Sequence, residues 1–306
     1  MRHILDLFEL TSAEVETVLD FSARLKTNFQ RGIRQPLLPG RVMALLFEKP
    51  SLRTRVSFET AIMHLGGNTL FLGADVGWGK REPTSDFARV LSSYVDVIVV
   101  RAFRHSDVEE LASYSSCPVV NGLTDLAHPC QALADLLTLR EIHGPVAGLR
   151  LAYVGDANNV AASLAVACGK LGVEFAIASP PGYQFPPAFL RRLADTVPQA
   201  VIQQTTDPRE AVQGAHAIYT DVWTSMGQEA EHATRTKAFA GYQVDGRLLA
   251  LARPGACFLH CLPAHRGEEV AAAVIDGPQS AVLRQAENRM HAQKGLLAWL
   301  LGAQVS

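Results

Sequence analysis

The sequence predicts an α/β protein with two doubly wound parallel-sheet domains and a cleft between them. Along the whole chain, short runs of consecutive apolar residues alternate with segments of helical periodicity. Such apolar runs, without alternating polar residues, are typical of strands buried on both faces. The length of 306 residues exceeds the usual size of one domain. Because Gly144-Pro145 ends a helix and the same alternation then starts again, we expect domains over 1–144 and 145–284 and a C-terminal helix over 285–306 that returns to the first domain.

Composition excludes several classes of protein. A hydrophobic content of 48%, a charged content of 19% and a net charge of -2 are typical of a soluble globular protein, without the basic surplus of a nucleic-acid-binding protein. No apolar run approaches the length of a membrane span, and the acidic N-terminus differs from a signal or transit peptide. We therefore expect a cytoplasmic protein. Five cysteines without a C-x-x-C pair favour free thiols.

In the first half, Thr11 and Glu14 form a capping box that predicts a helix through about Lys26. Ser51 is a good N-cap for the helix that ends at Gly66-Gly67. Strands are predicted over 42–47, 95–100 and 118–120, further helices up to about Tyr94, around Leu111 and over 129–142, a Gly-rich segment over 73–80 and a loop over 121–127.

The second half shows a plain βαβ unit, with strands over 149–154 and 173–178 around a helix over 158–171. Further strands are predicted over 200–203, 215–220 and 257–259, and further helices over 188–197, 208–212 and 285–301. The last helix is long and amphipathic enough to pack across the first domain.

Ligands of parallel α/β sheets bind beyond the carboxyl ends of the strands. The polar residues that follow predicted strands are Ser51 to Arg55, Arg101, His128, Asp156 to Asn159, Asp221 and His260-Cys261. Three of these clusters come from each half of the chain, so we expect one site in the cleft between the domains.

The turn after the first strand predicts a phosphate site. Arg53 and Arg55 place two cations at the positive end of a helix dipole, and no acidic residue of that turn offsets them. Backbone N–H groups, the hydroxyls of Ser51 and Thr54 and a guanidinium would converge on an anion. Arg101 would suit a doubly charged phosphate. The alternative is a solvated arginine pair and a strand-end charge.

His128-Pro129-Cys130-Gln131 sets an imidazole and an amide on one side of a helix start. His128 would donate a hydrogen bond to a carbonyl oxygen whose charge grows during attack, with Gln131 holding the adjacent NH2. The alternative for His128 is a helix cap.

In the second half, Gly155-Asp156-Ala157-Asn158-Asn159 lacks the further glycines of a dinucleotide fingerprint, and no acidic residue ends the next strand, so no nicotinamide cofactor is expected. Asp221 would bind a cationic α-amine; the alternative makes Asp221 a helix cap and Trp223 a core residue.

Cys261 follows a buried strand, where a cysteine is often a small core residue. No metal is expected, since the spacing of His128, Cys130, His260, Cys261 and His265 matches no common metal motif.

Taken together, four motifs resemble those of the aspartate/ornithine carbamoyltransferase family over essentially the whole chain. They are Ser-x-Arg-Thr-Arg from Ser51, His-Pro-Cys-Gln from His128, Asp-x-Trp-x-Ser-Met-Gly from Asp221 and His-Cys-Leu-Pro from His260. The first two are shared with aspartate carbamoyltransferases, whereas the last two favour the ornithine branch. The resemblance implies a carbamoyl-phosphate domain, an ornithine domain, no cofactor, and a homotrimer or a multiple of trimers with active sites near subunit interfaces.

The resemblance also implies roles for residues at the motif positions. Phosphate would be held by Ser51, Leu52, Arg53, Thr54 and Arg101, and the carbamoyl group by His128, Gln131, Arg289 and the carbonyls of Cys261 and Leu262. Ornithine would be held by Asn159, Asp221, Ser225, Met226 and the backbone of Leu123. Arg53, Arg101, His128, Asp221 and Cys261 would act in catalysis.

The implied reaction moves a carbamoyl group from carbamoyl phosphate to the δ-amine of L-ornithine, giving citrulline and phosphate in arginine metabolism. One departure concerns Gly77-Trp78, which stand where the family often carries a Gln or His that reaches a neighbouring subunit. Related enzymes for acylated ornithine use a tryptophan there. Alternatives are therefore a transcarbamylase for acetylornithine, putrescine or aspartate, and a non-catalytic amino-acid-binding module.

Overall fold

A computed structural model describes residues 1–224 and 229–305 of the chain. The chain divides into two compact units, Met1–Leu137 with Asn288–Ser306, and Thr138–Glu287. Each unit contains one sheet whose paired strands all run parallel. The predicted α/β class with two parallel sheets is therefore confirmed, while the bounds predicted at 144 and 284 stay a prediction.

The first sheet consists of β1 (Val42–Phe47), β2 (Asn68–Leu72), β3 (Val97–Arg101) and β4 (Val119–Leu123), in the order β2-β1-β3-β4. The central strands β1 and β3 are apolar and buried, as their continuous hydrophobic runs predict. The sequence prediction missed β2, because most of this edge strand is exposed and shows no buried run. It also ended β4 too early, since Asn121 to Leu123 continue the ladder beside β3.

The helices of the first half are α1 (Ser12–Gln30), α2 (Leu52–His64), α3 (Thr84–Tyr94), α4 (His105–Tyr114) and α5 (Pro129–His143). Thr11 and Glu14 form the predicted capping box, with the Glu14 N–H donating to Thr11 Oγ1 at 3.3 Å and the Thr11 N–H to Glu14 Oε2 at 2.8 Å. α1 runs to Gln30, one turn beyond its predicted end. None of the described helices combines the length and the hydropathy that a membrane span requires.

The second sheet consists of β5 (Arg150–Val154), β6 (Glu174–Ala178), β7 (Ile202–Thr205), β8 (Ala217–Thr220) and β9 (Cys257–His260), in the order β7-β6-β5-β8-β9. The chain first builds outward from β5 through β6 to β7 and then returns to the other side of β5. The order of strands therefore reverses between β5 and β8, which is where ligands bind in open α/β sheets.

The described helices of the second half are α6 (Asn159–Lys170), α7 (Pro187–Thr196), α8 (Pro208–Val212), α9 (His232–Ala238), α10 (Gly246–Leu249), α11 (Ala272–Ile275) and α12 (Val282–Leu300). The predictions for α6, α7 and α8 hold to within one or two residues. The short helices α9, α10 and α11 had no sequence prediction, because four to seven residues carry too little periodicity.

The C-terminal helix α12 packs on α1 within the first unit, as predicted. A Cβ atom built on Gly295 would lie 2.1 Å from Ser22 Oγ and 2.8 Å from the Val18 carbonyl oxygen. A few residues away, Lys26 Nζ donates to Asn288 Oδ1 at 2.7 Å. The two helix backbones therefore approach so closely that only glycine fits at position 295.

We expect Gly295→Ala to lower the free energy of unfolding by about 1–3 kcal/mol, because the added methyl group overpacks the contact between α1 and α12. Gly246→Ala is the matched control. Gly246 is exposed at the start of α10 with no atom near its Cβ position, so that change should be neutral or stabilising by less than about 1 kcal/mol. Denaturant unfolding of both variants checks this, and equal effects would contradict the close contact.

Candidate functional site

The N-terminus of α2 forms a tight polar turn. Ser51 caps the helix, accepting from the Thr54 N–H at 3.3 Å and donating from Oγ to Thr54 Oγ1 at 3.0 Å. No acidic residue occupies the first helical turn. Residue 52 contributes only its backbone to this turn, since the Leu52 side chain is 77% exposed. Parallel pairing of Phe47 with Arg101 sets Arg101 level with the end of β1, next to the turn.

Two buried arginines point at the same hydroxyl of this turn. Arg101 Nη1 donates to Thr54 Oγ1 at 3.4 Å, and Arg289 Nη2 donates to the same oxygen at 3.2 Å. Arg101 and Arg289 are only 7% and 6% exposed. Burial lowers the pKa of Arg101 to about 10, and the positive charges of Arg289 and Arg53 lower it as well. Like charges thus share one small buried volume.

Arg101 has no carboxylate partner among the described residues, and its Nε lacks a hydrogen-bond acceptor there. A buried cation without a counter-charge is unfavourable, so an anion at this turn would stabilise the arrangement. The geometry suits a phosphate group.

Arg53 and Arg55, the predicted pair, differ in their surroundings. Arg55 Nε donates to Glu59 Oε1 at 3.1 Å, and its guanidinium carbon lies 3.8 Å from the centre of the Phe71 ring. Arg53 is exposed and its side chain makes no hydrogen bond or ion pair with the described residues. The first helical turn contains no acidic residue, as predicted, but Arg55 finds a partner in Glu59 one turn further along the helix.

His128 and Gln131 lie at the start of α5, close to the same arginines. His128 is 4% exposed, and burial, followed by the charges of Arg289 and Arg101, holds its pKa well below 6.5. The imidazole is therefore neutral near pH 7 and offers one N–H donor and one acceptor. Gln131 Nε2 donates to Asp135 Oδ1 at 2.8 Å, and its Oε1 accepts from Arg289 Nη1 at 2.5 Å.

Leu123 stands at the end of β4, in the same unit as these groups. Its carbonyl oxygen accepts from the Ala102 N–H at 3.1 Å, which leaves the second lone pair of that oxygen for another donor. The structure therefore brings Ser51, Arg53, Thr54, Arg101, His128, Gln131 and Arg289 together around the end of the first sheet.

In the second unit, Asp221 lies at the switch point between β5 and β8. Asn158 caps α6 by accepting from the Val160 and Ala161 N–H groups at 3.0 and 3.1 Å, and its Nδ2 donates to Asp221 Oδ2 at 2.9 Å. The Asp221 carboxylate is thus 7% exposed and held in one orientation at the end of a strand. The sequence prediction placed both asparagines in the polar cluster after β5 and assigned the ornithine contact to Asn159, the half-buried first residue of α6, which stays a prediction.

Cys261 is a partly exposed free thiol in the same unit as Asp221. Because β9 pairs with β8 so that His260 stands opposite Thr220, the residue after each strand comes close to the other. Cys261 Sγ donates to Asp221 Oδ1 at 3.0 Å. All five cysteines are free thiols, as predicted, and the other four are buried.

A buried histidine and glutamate hold the backbone after Cys261. The Leu262 N–H donates to His260 Nδ1 at 2.9 Å, so His260 Nε2 carries the ring proton and donates to Glu269 Oε1 at 3.3 Å. Both side chains are fully buried. Leu262 adopts a positive φ of 60°, which a leucine rarely occupies without such support. The sequence prediction missed Glu269, whose only signal was its place in the same polar loop.

The remaining residues singled out from the sequence lie outside the two groups of side chains described above. Ser225 and Met226 lie outside the described residues. Trp223 is 6% exposed and stacks on Phe239 with ring centroids 5.7 Å apart, which is the core role considered for it. Within the described part of the chain, Asp221 caps no helix. Trp78 is 8% exposed and packs into the apolar core of its own first unit, where its Nε1 has no hydrogen-bond partner among the described residues.

Comparisons with known proteins show the family of this chain. The domain described as "Aspartate/ornithine carbamoyltransferase, carbamoyl-P binding domain" matches residues 2–141, and the one described as "Aspartate/ornithine carbamoyltransferase, Asp/Orn binding domain" matches residues 147–300. This chain belongs to the aspartate/ornithine carbamoyltransferase family.

Relatives within the family are close over the full length. An ornithine carbamoyltransferase of Acidothermus cellulolyticus is 55% identical over 99% of this chain and 97% of its own, and one of Bacillus subtilis is 49% identical over 98% and 94%. The solved ornithine carbamoyltransferase from Pyrococcus furiosus superposes with a TM-score of 0.95 at 47% identity, covering 98% of this chain and 97% of that one. The structure from Thermus thermophilus gives 0.88 at 46% identity, covering 98% of each chain.

The neutral state of His128 predicts a pH effect on stability. The native pKa lies below the ordinary value of 6.5, so the unfolded chain binds more protons below pH 6.5, and acid destabilises the fold. This group alone should remove at most about 1.4 kcal/mol of unfolding free energy per pH unit as the pH falls below about 6. Denaturant unfolding of wild type and His128→Gln should show the shallower pH slope in the variant, and identical slopes would contradict a neutral buried imidazole.

Proposed function

We propose that this protein transfers the carbamoyl group of carbamoyl phosphate to the δ-amine of L-ornithine, giving L-citrulline and phosphate. The observation that carries the proposal is the pair of buried arginines, Arg101 and Arg289, which meet at Thr54 with no described carboxylate beside Arg101. Family membership and relatives of about 50% identity, all named ornithine carbamoyltransferase, support the choice of reaction.

Carbamoyl phosphate fits the first unit. Its phosphate would accept hydrogen bonds from the α2 N-terminus, the Ser51 and Thr54 hydroxyls, and the Arg53 and Arg101 guanidinium groups. The negative charge would offset the mutual repulsion that lowers the pKa of Arg101. As the bond from carbon to the phosphate oxygen breaks, its electrons stay on the phosphate, whose growing charge these cations stabilise.

The carbamoyl group fits beside His128 and Gln131. A neutral imidazole can donate its N–H to the carbamoyl oxygen, and the hydrogen bond strengthens as negative charge develops there during attack. Gln131 Oε1 is fixed by Arg289 and retains a lone pair for the carbamoyl NH2. Arg289 thereby orients the amide as well as facing the turn.

The second unit supplies groups suited to an amino acid with a second amine. The δ-amine of ornithine has an aqueous pKa of about 10.4, like lysine, yet only its neutral form is a nucleophile. The carboxylate of Asp221 attracts a cationic α-amine, and Cys261, hydrogen-bonded to Asp221, offers a thiol to the δ-nitrogen. We propose that the proton lost by the δ-ammonium passes to Cys261 Sγ as the thiol proton passes to Asp221 Oδ1, which leaves a neutral nitrogen for attack. The proton that this nitrogen loses when the C–N bond forms leaves with the phosphate. Asn159, Ser225, Met226 and the backbone of Leu123 would complete the ornithine contacts.

We also propose a homotrimer, or a multiple of trimers, as the working assembly, supported by the family resemblance. Trp78 packs within its own unit, which argues against a role in choosing an acylated substrate.

The direct test of substrate is to mix carbamoyl phosphate with ornithine, acetylornithine, putrescine or aspartate and to measure phosphate release and the carbamoylated product. Ornithine alone should react well; reaction with another amine only would overturn the choice, and no reaction would favour the non-catalytic binding module.

The differing surroundings of Arg53 and Arg55 predict different kinetic effects. Arg53→Gln removes an exposed guanidinium that pairs with no described residue. The value of kcat/KM for carbamoyl phosphate should fall at least about 100-fold, the usual cost of one preorganised charge-stabilising donor. Arg55→Gln, two residues further along the same helix, removes the ion pair with Glu59 and should change kcat/KM less than about fivefold.

Steady-state kinetics of both variants against wild type measure this difference. Wild-type turnover by Arg53→Gln would end the assignment of Arg53 to the phosphate. Equal losses in the two variants would show that the charge of the helix terminus, and not a specific contact, is what matters.

The contact of Cys261 with Asp221 predicts a change in the pH dependence of catalysis. Cys261→Ala removes the thiol beside the carboxylate, so kcat/KM should fall by about tenfold or more and its pH profile should shift, since the neutral amine is less favoured. Cys257→Ala is the control: this buried thiol lies four residues earlier, 3.7 Å from His143 Nε2, and should leave the profile unchanged. An unaltered rate and profile in Cys261→Ala would exclude the role.

A further inference from the structure

The loop that follows Cys261 carries a second cluster of chemically active side chains, His265, Glu268 and Glu269. One ligand atom from each lies within 4.8 Å of the other two. His265 Nδ1 is 3.8 Å from Glu268 Oε2 and 3.9 Å from Glu269 Oε2. None of these three atoms belongs to the groups assigned to substrate.

Glu269 supplies an observation that points to a bound group. Its side chain is fully buried, and its Oε1 accepts from the His265 N–H at 2.5 Å and from His260 Nε2 at 3.3 Å. Its Oε2 is equally buried but receives no hydrogen bond from any described residue. A buried carboxylate oxygen without a donor carries a desolvation cost, and buried polar atoms of this kind normally have a partner.

Glu268 is also available to a ligand. Its Oε2 lies 3.8 Å from His265 Nδ1, and its Oε1 lies 4.0 Å from His232 Nε2. Both separations exceed the length of an N–H···O hydrogen bond, so these are loose ion pairs at most. A metal cation coordinated by His265, Glu268 and Glu269 would therefore bind Glu268 more strongly than either histidine does.

We propose that His265 Nδ1, Glu268 Oε2 and Glu269 Oε2 bind a divalent transition metal ion of the zinc class, with a water molecule in the open position. With metal–ligand bonds of about 2.1 Å, two ligand atoms lie about 3.4 Å apart at the tetrahedral angle. Their separation cannot exceed about 4.2 Å, which is reached when the two ligands lie on opposite sides of the metal. The observed 3.8 and 3.9 Å fall within this span. One imidazole with two carboxylates suits zinc, manganese or cobalt.

A second possible cluster, Asp221, His260 and Cys261, is less suited to a metal. The Asp221 carboxylate accepts from both Asn158 and Cys261, and the two ring nitrogens of His260 are used by Leu262 and Glu269. In the proposed site, by contrast, Glu269 Oε2 receives no hydrogen bond from any described residue. A metal on Glu269 Oε2 would also fix the carboxylate that holds His260, one residue from Cys261.

The test is a calorimetric titration of Zn²⁺ into the full chain after removal of metals with a chelator. Wild type should bind one equivalent at the proposed site, while His265→Ala and Glu268→Gln should each weaken it more than about tenfold, since even the loss of an outer partner costs that much. Glu110→Gln, an exposed change on α4, is the matched control and should bind like wild type. Both His265 and Glu268 are at least partly exposed, so these variants should fold, which circular dichroism checks.

Co²⁺ in place of Zn²⁺ distinguishes the two clusters. A spectrum without a thiolate-to-metal band, retained in Cys261→Ser and lost in His265→Ala, supports the assignment. A thiolate band that disappears in Cys261→Ser places the metal at Cys261 and overturns it, as does undiminished binding in both His265→Ala and Glu268→Gln. Absence of any Zn²⁺ binding by wild type would leave only an ion pair at this loop and would also overturn the proposal.

Discussion

The burial of Arg101 beside the N-terminus of α2 is the constraint on which the first unit's chemistry depends. A guanidinium that is 7% exposed, with a pKa lowered to about 10, is unfavourable without a counter-charge. Its position follows from the pairing of β1 with β3 and from the Ser51 cap, so the sheet and the helix together impose the strain. Binding of the proposed phosphate would offset this cost, so part of the folding free energy of the unit would appear as affinity for an anion.

The second unit relies on hydrogen bonds instead of excess charge. Asp221 accepts from Asn158 and Cys261, neither of which is a cation, and this arrangement suits the proposed contact with an amine. Asn158 in turn is fixed as the cap of α6. The buried pair of His260 and Glu269 supports Leu262 at a positive φ and thereby directs the carbonyl groups that follow β9. One unit thus suits an anionic donor and the other an amine.

Much of the fold could be predicted because its central strands are continuous apolar runs and its long helices carry caps. β1, β3, β5 and β6 were found at or within two residues of their observed bounds. The edge strand β2 and the helices α9, α10 and α11 were not found. An edge strand buries only part of its surface, and a helix of four to seven residues is stabilised by tertiary contacts more than by its own sequence.

For the site, the sequence by itself determined the residues that follow strands: the Ser51 turn, Arg101, His128, Asp221 and Cys261 all stand where parallel strands end. Only the tertiary structure decided which of them meet. Arg289 reaches Thr54 across 235 residues of chain, and Asn158 reaches Asp221 across 63. Local patterns record secondary structure and capping, but contacts over such separations depend on strand order and register, which no short segment encodes. For the same reason the free oxygen of Glu269 became visible only once its burial was known.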